Sequence, residues 1–261
     1  MRTSNPVLRE EVFSAPSDVG FGAQLDSPRA QTRLMTMNGT IVKTGVLLLL
    51  CIVSALLAAS SIEAGWGIPP KAFYIGGALG GFVLGLFISF VPKSAPFLSP
   101  VYAILQGAFL GAISLAFSGK MQGQASGMVL QAVCLTFGIF GALLAAYSFG
   151  LIRVGSTFAR CIIVGTIGIA LTYLASFVLS MFGITVLSSA INGSGWLGIG
   201  FSLVVVVLAS LNLVLDFQFV EGGVRSGAPK YMEWYAGFGL LVTLVWLYLE
   251  ILRLLSKLNR R

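Results

Sequence analysis

Five carboxylates follow the first forty residues: Glu63, Asp216, Glu221, Glu233 and Glu250. The chain has no histidine, and its three cysteines, Cys51, Cys134 and Cys161, lie far apart in apolar sequence. That inventory builds no Cys/His metal site and no disulfide framework, and it offers no histidine for acid–base work. No His-Glu-x-x-His pattern or paired intramembrane aspartates occur, and no serine has an evident base. An enzyme is therefore not expected, and no cofactor is called for. The chemistry that remains is that of a carboxylate: holding a hard cation such as Ca2+, or a proton.

Asp216 closes a long uncharged run in the stretch Leu211-Asn212-Leu213-Val214-Leu215-Asp216-Phe217-Gln218. On a helix, Asn212 lies one turn earlier on the same face, so the two could offer oxygen ligands to a cation. Two readings stay open: a carboxylate in interfacial water at a helix end, or one that lines an ion site. Glu250 stands in the last apolar run with Arg253 three residues on, a spacing that allows an ion pair. Its readings are likewise two, a neutraliser of a snorkelling arginine or a group that takes part in transport. Glu221 and Glu233 bracket a turn-rich segment with Gly222, Gly223, Gly227 and Pro229, and rank second as site residues. Gln106, uncharged in the third run, suits an interhelical hydrogen bond.

The elements that must position these groups are read from composition. Of 261 residues, 57% are hydrophobic and 10% charged, against about 25% charged in a soluble domain. A water-soluble shell cannot be built from that, whereas a bilayer can accommodate it. Seven runs are long enough to cross, at 41–61, 72–92, 101–118, 128–148, 161–182, 197–215 and 235–255. None alternates polar with apolar residues, so spanning helices and not strands are predicted. Residues 1–40 read as a flexible cytoplasmic arm, with a short surface helix near 30–37, and 41–261 as one seven-helix transmembrane domain. No apolar signal core is read in the arm, so the first span is expected to direct insertion.

Loop charge predicts the orientation. With the arm inside, Lys43, Lys93, Arg153, Arg160, Arg225 and Lys230 are cytoplasmic, against Lys71 and Lys120 outside. Seven crossings then place Lys257, Arg260 and Arg261 outside, against the rule. Glycines at four-residue spacing, Gly77 and Gly81 in the second span and Gly107 and Gly111 in the third, predict close helix packing within the chain. Trp66, Trp196 and Trp234 fall near span ends, as in an aromatic belt, while Trp246 is expected among the helices.

Three stretches resemble the Bax inhibitor family of membrane proteins, its bacterial branch in particular. They are Gln106-Gly107-Ala108-Phe109-Leu110-Gly111, then Asp216-Phe217-Gln218-Phe219-Val220, and the closing Tyr248-Leu249-Glu250-Ile251-Leu252-Arg253-Leu254-Leu255. The resemblance covers about residues 41–255. It implies an all-α fold with six helices around a central C-terminal helix. It also implies a pH-sensitive calcium leak governed by two acids near the cytoplasmic side. Two close carboxylates can share a proton, so pH sets whether the pair holds together. The first acid maps onto Asp216. Matched from the closing Arg-Leu-Leu, the second falls on Thr243, while Glu250 lies two turns further on and Glu233 before the helix. The second span also lacks the arginine that pairs with these acids in some relatives. Two functions follow: a Ca2+ or H+ pathway with its mouth at Asp216, or a non-conducting regulator that binds other membrane proteins such as a quality-control protease. The partners expected are the lipid bilayer and other membrane proteins, with no nucleic acid. The location expected is a prokaryotic plasma membrane with the N-terminus cytoplasmic.

Overall fold

The computed structural model describes residues 34–65, 69–119, 125–151 and 155–260. Residues 1–33, most of the expected arm, lie outside the described residues, as do Trp66, Lys120, Arg153 and Arg261. The helices are α1 (Met37–Glu63), α2 (Pro70–Phe90), α3 (Ala95–Gly119), α4 (Ala125–Ser148), α5 (Ser156–Met181), α6 (Val186–Asn192), α7 (Trp196–Arg225) and α8 (Met232–Leu258). A 3-10 turn, Pro92–Ser94, leads into α3. Among the described residues there is no strand, only an isolated bridge between Leu34 and Pro229. Seven of the helices, all but the seven-residue α6, are long and apolar enough to cross a membrane. Hydrocarbon offers no partner for backbone N–H and C=O groups, so each crossing must satisfy its own.

Local chemistry sets the helix ends. The Thr36 hydroxyl caps α1 by accepting the Gly39 N–H at 3.1 Å, and Pro70 opens α2 where no donor is needed. Gly227, at a φ of +67°, reverses the chain between α7 and α8. Helix α1 begins at Met37, four residues before the expected span. Residues 34–36, where a surface helix was expected, are extended, and the Met35 N–H donates to the Ala228 carbonyl at 2.7 Å.

Helix α8 occupies the centre. Of its most apolar stretch 61% is buried, against 39% at most for any other span. It packs on α1, α3, α4 and α7, and Glu250 reaches Tyr173 of α5. One core cluster joins α8 to α4 and α7 through Met128, Ala132, Leu213, Phe217, Leu244 and Leu247. The other joins it to α1, α2 and α3 through Leu47, Ile88, Tyr102 and Leu241. The outer helices turn Leu49, Leu86, Val164, Leu174 and many other apolar side chains outward, a surface suited to lipid. The architecture is the expected one: six spanning helices around a C-terminal seventh.

Candidate ion site at Asp216

Asp216 does not end its helix. Helix α7 continues nine residues to Arg225, which places the carboxylate about 14 Å in from that end at 1.5 Å per residue. Asp216 is therefore an interior residue of α7 and not its terminal one. Residues 216–225 look like the start of a loop in the sequence because of Glu221, Gly222 and Gly223. Helical hydrogen bonding nevertheless persists through all three.

The carboxylate faces a cavity of about 670 Å³ between α2, α3, α7 and α8. Ser89, one residue from the end of α2, and Tyr235, in the first turn of α8, line its mouth. Gln106, Phe109, Asp216 and Thr243 line its depth. Exposed Phe82, Leu86, Phe219 and Val242 also line it, so the cavity runs along the groove between α2 and α7 and reaches toward the end of the bundle where α1 begins and α7 finishes. Gly81 and Gly85 form its α2 wall, and Tyr102 sits edge-on to Phe238 with ring centres 4.9 Å apart. The Thr243 hydroxyl lines the same cavity and donates to the Gly239 carbonyl at 3.3 Å. Asp216 Oδ2 is buried and has no hydrogen-bond partner among the described residues. An orphaned buried oxygen of this kind costs about 1–3 kcal/mol, so its retention calls for a ligand or a proton.

The other candidate residues divide by what they touch. Thr243 and Gln106 join Asp216. Asn212, one turn away, does not line the cavity. Its amide donates to the Thr166 hydroxyl and to the Leu208 carbonyl, both at 2.8 Å, and braces α7 against α5. Glu233 is fully buried near the start of α8. It pairs with Lys43, and with Lys230 at 2.9 Å. It also accepts the Thr36 backbone N–H at 2.8 Å and the Thr36 hydroxyl at 2.9 Å. Glu221 accepts from the Tyr147 hydroxyl and from Arg225 at 2.5 Å, on the opposite side of α7 from the cavity.

Glu250 is 2% exposed and lies about 10 Å further along α8 than Thr243. Arg253 donates to its two oxygens at 2.9 and 3.0 Å, and the Tyr173 hydroxyl donates at 3.1 Å to each. The guanidinium also stands 5.0 Å over the Tyr173 ring. One turn on, Lys257 is buried and donates to the Ile191 carbonyl at 2.5 Å, the Ser202 hydroxyl at 2.6 Å and the Gly198 carbonyl at 2.9 Å. These two cations and one anion close the far end of the bundle. Glu250 therefore supplies no second acid beside Asp216. Tyr173 and Lys257 are absent from the sequence-derived set. A lone tyrosine deep in the fifth span was the available signal for the first, and the second was counted among the charges of the C-terminal tail.

Among the described residues no cluster of three or more acidic, cysteine or histidine side chains could hold a metal. Ca2+ takes six to eight oxygens. Asp216, the Gln106 amide and the Thr243 hydroxyl supply one charge and neutral oxygens, fewer than a Ca2+ storage site needs.

Fold and cavity together define a polytopic helical membrane protein with a one-carboxylate vestibule against its central helix. A family model described as Bax inhibitor 1 like matches residues 5–260, and the chain belongs to that family. A comparison with curated proteins finds no match.

Proposed function

We propose that this protein is a non-enzymatic cation pathway through a prokaryotic plasma membrane, with its N-terminus in the cytoplasm and Asp216 at the floor of its cytoplasmic vestibule. The observation that carries the reading is the buried, unpartnered Asp216 Oδ2 at the floor of an open vestibule. The ions it would pass or sense are Ca2+ and H+. Thr243 stands where the family resemblance expects the second acid. A single carboxylate cannot share a proton with a partner, so gating by a coupled pair is replaced by simple titration of one group. The ionised form draws cations into the vestibule, and the protonated form does not.

The test is cation flux from liposomes containing the purified protein. Wild-type flux falls on acidification along a one-proton curve. Asp216→Asn removes the titrating group at nearly constant volume. It is expected to hold flux near the acid value of the wild type at every pH, with unchanged melting. If the wild type passes no cation from about pH 5 to 8, a range over which perturbed carboxylates titrate, the pathway reading fails. A non-conducting regulator of other membrane proteins then takes its place. If Asp216→Asn keeps the wild-type pH profile, the pathway stands and the gate lies elsewhere.

A further inference from the structure

We propose that the seam between α1 and α4 holds a phospholipid, with one acyl chain lying against the central helix and the phosphate at Arg225. This inference does not rest on ion conduction. Helices α1 and α4 both pack on α8, and two cavities lie between them, of about 1130 and 590 Å³. Leu48 lines both, so they are neighbours along α1, with one side chain between them. The larger is floored by Phe217, Val220 and Leu240, the smaller by Leu241, Leu244 and Tyr248. From Ile41 to Leu56 the seam runs about 22 Å along α1. That exceeds the ~15 Å hydrocarbon depth of one leaflet, half of a ~30 Å core.

The lining chemistry fits hydrocarbon. Glu63, the last residue of α1, lines one end of the smaller cavity, and the polar side chains of its inner wall are satisfied within the protein. The Ser114 hydroxyl reaches the Leu110 carbonyl at 2.6 Å and the Tyr248 hydroxyl at 2.7 Å, and the Thr136 hydroxyl donates to the Ala132 carbonyl at 2.7 Å. Little is left there to hold water, and an apolar cavity of this kind takes an apolar guest. The rim residues Ile52, Leu56 and Phe137 are exposed and sit well inside spanning helices. The seam therefore opens to the bilayer's own hydrocarbon. A helix is about 10 Å across, whereas an acyl chain is slender enough to pass between two helices that both rest on α8.

The polar end completes the match. Arg225, the last residue of α7, lines the larger cavity with its side chain 78% exposed. Glu221 holds it at 2.5 Å and is itself held by the Tyr147 hydroxyl. That leaves further guanidinium N–H donors free to take phosphate oxygens in the paired geometry arginine favours. The residue stands at the end of the bundle, where headgroups lie.

The experiment uses the full-length protein in phosphatidylcholine vesicles carrying a minor fraction of phosphatidylethanolamine with a diazirine in mid-chain. Illumination should label Leu241, Leu244 or Tyr248 of α8, which are otherwise shielded from lipid. Val133→Trp, or Ala55→Phe if that variant folds poorly, should cut the α8 label at least several-fold and leave outer-surface label unchanged. Arg225→Gln should lower α8 labelling by the phospholipid several-fold but leave labelling by a diacylglycerol probe unaltered. Label confined to outward residues such as Leu86, Val164 and Leu174 overturns the proposal. So does labelling of α8 that ignores the wall substitutions. Equal labelling by both lipids in wild type and Arg225→Gln overturns the phosphate assignment. A crosslink from the seam to another polypeptide in place of lipid makes it a protein-docking surface instead.

Discussion

Four carboxylates lie buried or half-buried in the spanning helices, and beside Glu221, held by Tyr147 and Arg225, the partners of the other three decide what each can do. Glu233 meets two lysines and both donors of Thr36, which makes it a clasp between the segment before α1 and the start of α8. Glu250 is neutralised by Arg253 and further held by Tyr173, and serves to close the far end. Asp216 alone keeps a buried oxygen without a partner. A carboxylate engaged by four donors is expensive to disarm, because hydrogen bonds to charged groups are worth about 1.5–3 kcal/mol each. Glu233→Gln should therefore destabilise the protein by about 2 kcal/mol or more, seen as a lower melting temperature in detergent. Because Thr36 loses its acceptor, amide exchange at residues 35–40 should quicken, while exchange around Asp216 stays as in the wild type. Equal quickening throughout the bundle would count against a local clasp. The same substitution should leave the pH profile of any flux intact, which separates the clasp from the gate.

At the level of elements, the tightest junction is α1 against α3, and glycine makes it possible. A side chain at Gly107 would run into the Cys51 carbonyl, and one at Gly111 into the Ala55 carbonyl. The Ser54 hydroxyl crosses the same junction to the Ile104 carbonyl at 2.7 Å. Gly111→Val should force the two backbones apart at a cost of about 3 kcal/mol, the upper part of the usual overpacking range. Gly141→Val on α4, where nothing lies within 4 Å, serves as the control. Thermal unfolding of both variants should show a clear loss for the first and little change for the second. Four-residue glycine spacing thus foretold the α1–α3 and α2–α3 contacts, although Gly138 and Gly141 show that small residues also face open space. Spans were legible because uninterrupted apolar runs have no soluble alternative. Their ends were less so: residues 216–225 carry charge and glycine yet stay helical, since the helix can run on into the headgroup region. Asp216 and Gln106 were legible as rare polar groups in apolar runs. Their convergence with Thr243, and the turning of Asn212 toward α5, depend on helix rotation, which one sequence with weak amphipathic bias does not encode.

For the whole molecule, the distribution of cations bears on how it sits in the membrane. The end where the vestibule opens carries Lys43, Lys93, Arg160, Arg225 and Lys230. The opposite end carries Lys71 and the C-terminal group that counts against the positive-inside pattern. The structure gives Lys257 of that group, and the neighbouring Arg253, another reason to be there, while Arg260 stays exposed beyond the end of α8. Arg253 is paired with Glu250, and Lys257 is buried among the carbonyls of Ile191 and Gly198 and the Ser202 hydroxyl. Those two cations lock α8 to α5, α6 and α7, so they serve as internal braces and not as loop charges. Once they are set aside, the described loops and helix ends favour the vestibule side as cytoplasmic. In a background with Cys51, Cys134 and Cys161 replaced by alanine, a cysteine at Ser4 should resist an impermeant thiol reagent in intact cells and react once the cells are permeabilised. A cysteine at Asn259, exposed at the end of α8, should react in intact cells. The reverse pattern would invert the protein and put the Asp216 vestibule on the outer face. Reaction of neither site in intact cells would mean that α8 does not complete its crossing, which its 27 residues, about 40 Å of helix, are long enough to do.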